Sequence, residues 1–337
     1  MMPWPASFRR IPGDDWVERP PETLALKYDT VQDHGWYRNL DPTVRDLAAA
    51  LRPGDILLDY SGGTGILAER VLAALPRLDV GILIVDASPK FLRVALDKLG
   101  DDERVAFRLI RYLKEERRLE TVQEVVGEAL LERGVEVVSS TNAIHLYYDL
   151  DDTLRSWRDL LVPGGRAFVQ SGNIGVAAPP EGSWIIDETV DAINAAAVEL
   201  VREDERYAAY RDGLADPERV AAYEELRRRF FLPVRPLEHY VGALEGAGFR
   251  IRDVTHRAIE ARTAEWTDFL ATYHEGVLGW VGGSGRIEGA APTEESLGDR
   301  LRLLREAVHR VFGGPTFRAV WTYVDAEAET RHGAPQG

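Results

Sequence analysis

The ten residues Ile56-Leu57-Leu58-Asp59-Tyr60-Ser61-Gly62-Gly63-Thr64-Gly65 constrain this chain more than any others. A short apolar run ends in an acid, three glycines fall within four residues, and a helical pattern begins at once. That order demands a buried strand that turns sharply into a helix. Glycine adopts backbone angles that other residues avoid, and it lets a ligand lie against bare main chain. The helix that follows offers free N–H groups at the positive end of its dipole. Asp59, just before the turn, can accept hydrogen bonds from a cationic or hydroxylated group. A nucleotide-type cofactor belongs at such a turn.

Strands and helices then alternate. Apolar periodicity predicts strands at 56–60, 80–85, 104–110, 135–139 and 166–170, with helices at 65–75, 89–99, 119–133 and 150–161 between them. Pro163-Gly164-Gly165 reads as the terminator of the last of these helices. Continuous apolar strands separated by helices imply a mostly parallel sheet covered on both faces. Beyond Gly172 the pattern turns helical. Helices are predicted at 187–203, from Asp216-Pro217 to about Phe230 with Asp216 as cap, and at 236–246. A strand at 249–260, a second helical stretch carrying Gly282-Gly283-Ser284-Gly285 and a helix at 297–311, and a final strand at 316–324 complete the chain.

Composition excludes several function classes. At 337 residues and 45% apolar content the chain can bury a sizeable core, and no apolar run reaches membrane-spanning length. With no cysteine it has no disulfide, thiolate metal site or thiol nucleophile, and no metal site is expected. The formal charge of −15 argues against a nucleic-acid partner. Arg117-Arg118 and Arg227-Arg228-Arg229 are flanked by acids and read as solvated helix faces. Met1-Met2-Pro3-Trp4-Pro5 shows no basic region followed by an apolar stretch, so the expected setting is the cytoplasm, without a membrane partner.

Four pieces taken in order resemble the class I S-adenosylmethionine-dependent methyltransferases. They are Leu58–Gly65; Val85-Asp86-Ala87-Ser88; Val135–Leu146, which contains Asn142 and His145; and Leu160–Val169, which contains Pro163-Gly164-Gly165. With the last two strands, the resemblance covers roughly residues 40–172, 246–262 and 315–325. It implies a three-layer α/β fold around a Rossmann-like sheet of seven strands, the last antiparallel, with helical insertions as a cap. The implied domains are a lid segment at 1–51, a cofactor domain at 52–174, 246–262 and 315–327, insertions at 175–245 and 263–314, and a frayed tail at 328–337. It also implies S-adenosylmethionine as cofactor and a small organic acceptor, methylated on a hydroxyl in secondary or specialised metabolism. The insertions serve as a substrate roof or, alternatively, as a homodimer interface.

Carried onto this chain, the family's cofactor contacts fall on Asp59, Ser61, Gly62, Gly63, Thr64, Gly65, Asp86, Ala87, Ser88 and Asn142. Asp86 follows Gly65 by 21 residues, where a carboxylate can accept both ribose hydroxyls. Asp59 serves the methionine end. Tyr28-Asp29 and Trp36-Tyr37 resemble the lid of small-molecule methyltransferases, in which a tyrosine such as Tyr37 reaches the cofactor's carboxylate.

The chain also departs from the family. Ser61 stands where the family usually has glycine, and Arg111-Tyr112 stand where it often has an acid that contacts adenine. His145 is the candidate general base, because imidazole titrates near neutrality. His34, His239, Tyr240 and His274 are further candidates from segments over the pocket. A nicotinamide oxidoreductase would need the G-x-G-x-x-G spacing, which S-G-G-T-G followed by Ile66 does not supply. A non-catalytic, methyltransferase-like binding subunit is the alternative from a different class.

Overall fold

The computed structural model describes residues 3–329, so Met1, Met2 and residues 330–337 of the expected frayed tail lie outside it. Seven strands build the main sheet: β1 (Ile56–Tyr60), β2 (Gly81–Asp86), β3 (Val105–Leu109), β4 (Val135–Thr141), β5 (Leu161–Ser171), β6 (Phe249–Arg262) and β7 (Thr316–Ala328). Their spatial order is β6-β7-β5-β4-β1-β2-β3. Strands β1 to β5 are parallel, and β7 runs antiparallel to both β5 and β6. Short strand Ser183–Trp184 adds to β7 at Arg318 and Ala319. This is the three-layer, doubly wound sheet that the alternating pattern predicts.

Ile56, Leu57 and Leu58 have no exposed surface, because helices cover both faces of β1. Alternate residues of that strand serve two cores. Ile56, Leu58 and Tyr60 pack with Trp157, Leu154 and Tyr240 on one face. Leu57 packs with Val71, Leu92 and Phe168 on the other. The strand order reverses at β1, between β2 and β4. That switch point is where open α/β sheets bind ligands, beyond the carboxyl ends of the strands.

Several elements differ from expectation, each for a local reason. The helix expected over 119–133 splits into Val122–Val126 and Glu128–Arg133, because Gly127 takes φ 84° between them. Leu119 instead joins a small hairpin opposite Tyr112. Helix Leu150–Leu160 does stop before Pro163, but β5 begins directly at Leu161 and runs through Pro163-Gly164-Gly165. The glycines form an irregularity within that strand, where its register with β4 shifts. The tail was expected to fray from residue 328, yet Ala328 is buried in β7 and pairs with Phe249.

The two stretches between β5 and β7 share one core. Helix Glu188–Glu203 packs against helix Glu294–Phe312, and Val190, Ile193, Leu303, Leu304, Trp266 and Trp280 form a common interior. Phe317, Trp321 and Tyr323 of β7 join it from below, and Trp36, Tyr37 and Leu40 join it from the N-terminal segment. Helix Leu237–Gly246 instead packs on the sheet through Tyr240 and Leu244. Asp216 caps Pro217–Phe230 by accepting from the backbone N–H groups of Glu218 and Arg219, as its sequence position predicts. Among the described residues, no helix is long and apolar enough to cross a membrane.

Candidate functional site

At the switch point the glycine turn folds back over β2. Ser61 and Gly63 take φ 60° and 57°, which lets Gly62 donate its N–H to the Val85 carbonyl at 3.1 Å. Gly63 donates to Asp86 Oδ2 at 2.9 Å, and Ser88 donates to Oδ1 at 2.7 Å. Each oxygen of Asp86 keeps a further lone pair for an outside donor. Burial raises this carboxyl to about 6, while the N–H groups of Ser88, Gly63 and Ala87 oppose the rise.

Asp59 is buried outright, and neither of its oxygens has a hydrogen-bond partner. Burial, followed by the charge of Asp86, raises its pKa to about 7. A buried carboxylate left unpaired is costly, so this group is built for a cationic or hydrogen-bonding partner that the polypeptide itself does not supply. The turn keeps room beside it. A Cβ on Gly62 would lie 2.7 Å from Asp59 Oδ2 and 3.0 Å from Ile84.

The other glycines divide differently from expectation. Gly63 faces open space, as a ligand-facing position should. Gly65 was expected to allow close ligand approach, but a Cβ there would meet Leu99 at 2.9 Å and Ala95 at 3.3 Å. Its smallness lets helix Ile66–Ala74 pack against helix Pro89–Leu99. Thr64 is buried with an unpartnered hydroxyl.

The N-terminal segment closes over these strand ends. Tyr28 stacks on Phe91 at 4.9 Å, Lys98 holds Asp29 at 2.8 Å, and Arg70 donates to the Tyr37 carbonyl at 3.1 Å. Burial raises the Tyr37 phenol to about 12, and interaction with Tyr37 holds the Tyr28 phenol well above its ordinary value. Both hydroxyls therefore remain donors at physiological pH.

Asn39, which the sequence did not single out, lies fully buried beneath this segment with its side-chain amide unpartnered. Its main-chain carbonyl accepts from Gln170 Nε2 at 3.2 Å and Tyr323 Oη at 2.8 Å. Asp59, Ser139 and Gln170 stand on adjacent strands β1, β4 and β5, and alternation puts all three on one face. Ser139 is also buried and unpartnered. A polar row thus runs beneath the N-terminal segment.

The remaining candidates fall in different places. Tyr112 is 57% exposed on its hairpin, and Arg111 is held by Asp14 at 2.9 Å and Glu120 at 3.6 Å. Neither offers a buried contact to an adenine in this arrangement. Asn142 takes φ 53° and accepts from Trp321 Nε1 at 2.9 Å, which fixes the loop after β4 to β7. Ala87 is exposed beside the half-buried Ser88, whose hydroxyl accepts from Phe91 at 3.4 Å and caps the next helix. His34 packs against Trp36, with its Nδ1 buried and unpartnered. His239 is exposed beside Arg235, Tyr240 is sheet core, and His274 accepts from the cap's buried Arg300.

His145 does not have the freedom expected of a base. Its ring nitrogens lie 3.1 Å from Ser171 Oγ and 3.0 Å from Asn173 Nδ2. Asn173 Oδ1 accepts the Asp187 N–H at 2.9 Å, so its Nδ2 is a donor and must meet the lone pair of His145 Nε2. The proton therefore sits on Nδ1, and burial lowers the imidazole pKa to about 4. The base expected from sequence is instead a neutral, fully bonded strut. Beyond Asn173 stands Asp187, at the start of the helix Glu188–Glu203. Its side chain makes no cap bond, and burial raises its pKa to about 7, opposed by a hydrogen bond from Asn173.

A Rossmann-like sheet with a glycine turn, an orphaned acid on β1 and a second acid ending β2 defines the class. Residues 58–167 match the family model described as a methyltransferase domain. The hybrid PKS-NRPS synthetase apdA of Emericella nidulans is 27% identical over 110 residues, 32% of this chain and 3% of that protein. The highly reducing polyketide synthase ctvA of Aspergillus terreus is 30% identical over 129 residues, 38% of this chain and 5% of that protein. The chain thus matches only a small part of the length of either synthase.

Similar solved structures include Haemonchus contortus phosphoethanolamine N-methyltransferase 2 in complex with S-adenosyl-L-methionine. It is 16% identical, with TM-score 0.47, over 94% of this chain and 60% of that one. An S-adenosylmethionine-dependent methyltransferase from Mesorhizobium loti is 17% identical, with TM-score 0.39, over 86% and 97%.

Proposed function

We propose that the chain is an S-adenosylmethionine-dependent methyltransferase that transfers a methyl group to a hydroxyl of a small organic acceptor. The observation that carries this reading is Asp59, a buried carboxylate with both oxygens unpartnered beneath a glycine turn. An α-ammonium supplies the charge that such a carboxylate lacks, whereas a phosphate-bearing dinucleotide would be repelled by it. The two free lone pairs of Asp86 suit vicinal ribose hydroxyls. Gly63 leaves the main chain bare where the cofactor would lie.

When bound, the cofactor supplies an electrophilic methyl on a sulfonium that departs as a neutral thioether. The chain's own residues do the rest. Asp59 and Asp86 anchor the two ends, and the segment with Trp36 and Tyr37 covers the strand ends and excludes water. Most of the catalysis is alignment of donor and acceptor. Any proton taken from the acceptor needs a base; Asp187, joined to His145 through Asn173, is our candidate. The two fungal relatives are polyketide-making synthases, which supports a specialised-metabolite acceptor.

Titration calorimetry with S-adenosylhomocysteine tests the reading. Saturable binding to the wild type, with at least tenfold loss in Asp59→Asn, is expected. No heat at high micromolar ligand would overturn it.

A further inference from the structure

Ser61 occupies a left-handed position, φ 60°, that favours glycine. The structure shows what holds it there. Tyr147 Oη donates to Ser61 Oγ at 3.1 Å. On its other side the Tyr147 oxygen lies 2.7 Å from Ser140 Oγ, and because the phenol proton goes to Ser61, Ser140 is the donor. Tyr60 and Trp157 meet the Tyr147 ring edge-on at 5.5 and 6.0 Å. Burial pushes the phenol pKa well above its ordinary value, so the hydroxyl stays a proton donor throughout the working range.

The bridge spans three elements: the glycine turn through Ser61, β4 through Ser140, and the loop after β4 through Tyr147. That loop also carries Asn142 and His145. Asp59 points to the opposite face of β1, so the turn is gripped from below while the acid stands above it.

We infer that Tyr147 is a positioning residue for the cofactor turn: its hydrogen bond to Ser61 replaces the conformational freedom of glycine and holds Gly62 and Gly63 in the ligand-ready geometry. This rests on the proposed cofactor. The turn's own bonds show why the angle matters. With Ser61 left-handed, Gly62 reaches Val85 and Gly63 reaches Asp86, which aims the Asp86 carboxylate. A released Ser61 would relax toward ordinary angles and misplace both.

The test is a set of variants titrated with S-adenosylhomocysteine by calorimetry, with thermal unfolding of the ligand-free proteins as control. Tyr147→Phe keeps the ring packing and removes one hydroxyl, and a five- to tenfold weaker dissociation constant is expected, about the worth of one hydrogen bond. Ser61→Ala removes the acceptor but keeps the left-handed demand, so it should lose as much. Ser61→Gly removes the demand itself. Relative to that variant's own affinity, Tyr147→Phe in the Ser61→Gly background should cost less than twofold. Wild-type affinity in both Tyr147→Phe and Ser61→Ala would overturn the inference, as would a Tyr147→Phe loss left undiminished in the Ser61→Gly background. Absence of binding by the wild type would instead remove the cofactor reading itself, so the two failures are distinguishable.

Discussion

Asp59 sets function against stability, and Asp59→Asn should separate the two. In the folded chain its pKa is raised from 3.8 to about 7 by burial and, secondarily, by Asp86. Between those values the folded state holds a proton that the unfolded chain has released, so stability falls as pH rises through that window. At about 1.4 kcal/mol per pH unit over roughly three units, the ionised carboxylate costs the ligand-free protein about 4 kcal/mol above pH 7. An amide of the same shape does not ionise. Asp59→Asn should therefore match the wild type within about 1 kcal/mol at pH 5 and exceed it by about 2–4 kcal/mol at pH 8, allowing for the buried amide's own unmet hydrogen bonds. Chemical denaturation at the two pH values measures this. Weaker folding of the variant at pH 8 would mean that Asp59 has a partner within the protein and is not held for a ligand.

Further outcomes follow from the same geometry. Asp86→Ala should weaken S-adenosylhomocysteine binding tenfold or more, read by calorimetry, because it strips both the ribose acceptor and the anchor of the Gly63 N–H. His145, lowered from 6.5 to about 4, contributes stability that is lost as pH falls through that interval. His145→Gln should flatten the acid limb of a stability–pH curve by at most about 3 kcal/mol. Asp59 and Asp187 both titrate near pH 7, so the carboxylic acid infrared intensity lost through that pH should fall by about half in Asp187→Asn and vanish in the Asp59→Asn, Asp187→Asn double variant, while cofactor affinity in Asp187→Asn stays within twofold. Gly65→Ala should destabilise the fold through its contact with Leu99, measured by thermal unfolding, whereas Gly63→Ala should chiefly weaken ligand binding.

Local pattern made much of the sheet legible. The strand Ile56–Tyr60 and the helix Pro89–Leu99 stand where hydrophobic periodicity puts them, because burial on one or both faces is written directly into residue spacing. The ends of β6 and β7 were harder to read. Arg250, Arg252 and Glu327 resemble solvated chain ends until they pair across the two strands. Gly127 broke an expected helix because a single positive-φ residue is invisible in a helical average.

The site divides along the same line. Asp59, Gly63 and Asp86 belong to contiguous motifs. Asn39 meets Gln170 across 131 residues, and Asp187 acquires its surroundings from Asn173 on another element. The tautomer of His145 is set by three tertiary hydrogen bonds, and no spacing rule could have shown that both its nitrogens are engaged.

In the proposed function, Asp59 and Asp86 grip the two ends of one methyl donor. A crystal structure grown with S-adenosylhomocysteine tests it most directly. The ligand's ammonium should lie within hydrogen-bonding distance of Asp59, directly or through one water, with both ribose hydroxyls on Asp86. Ligand bound elsewhere, or bound with Asp59 still unpartnered, would contradict it.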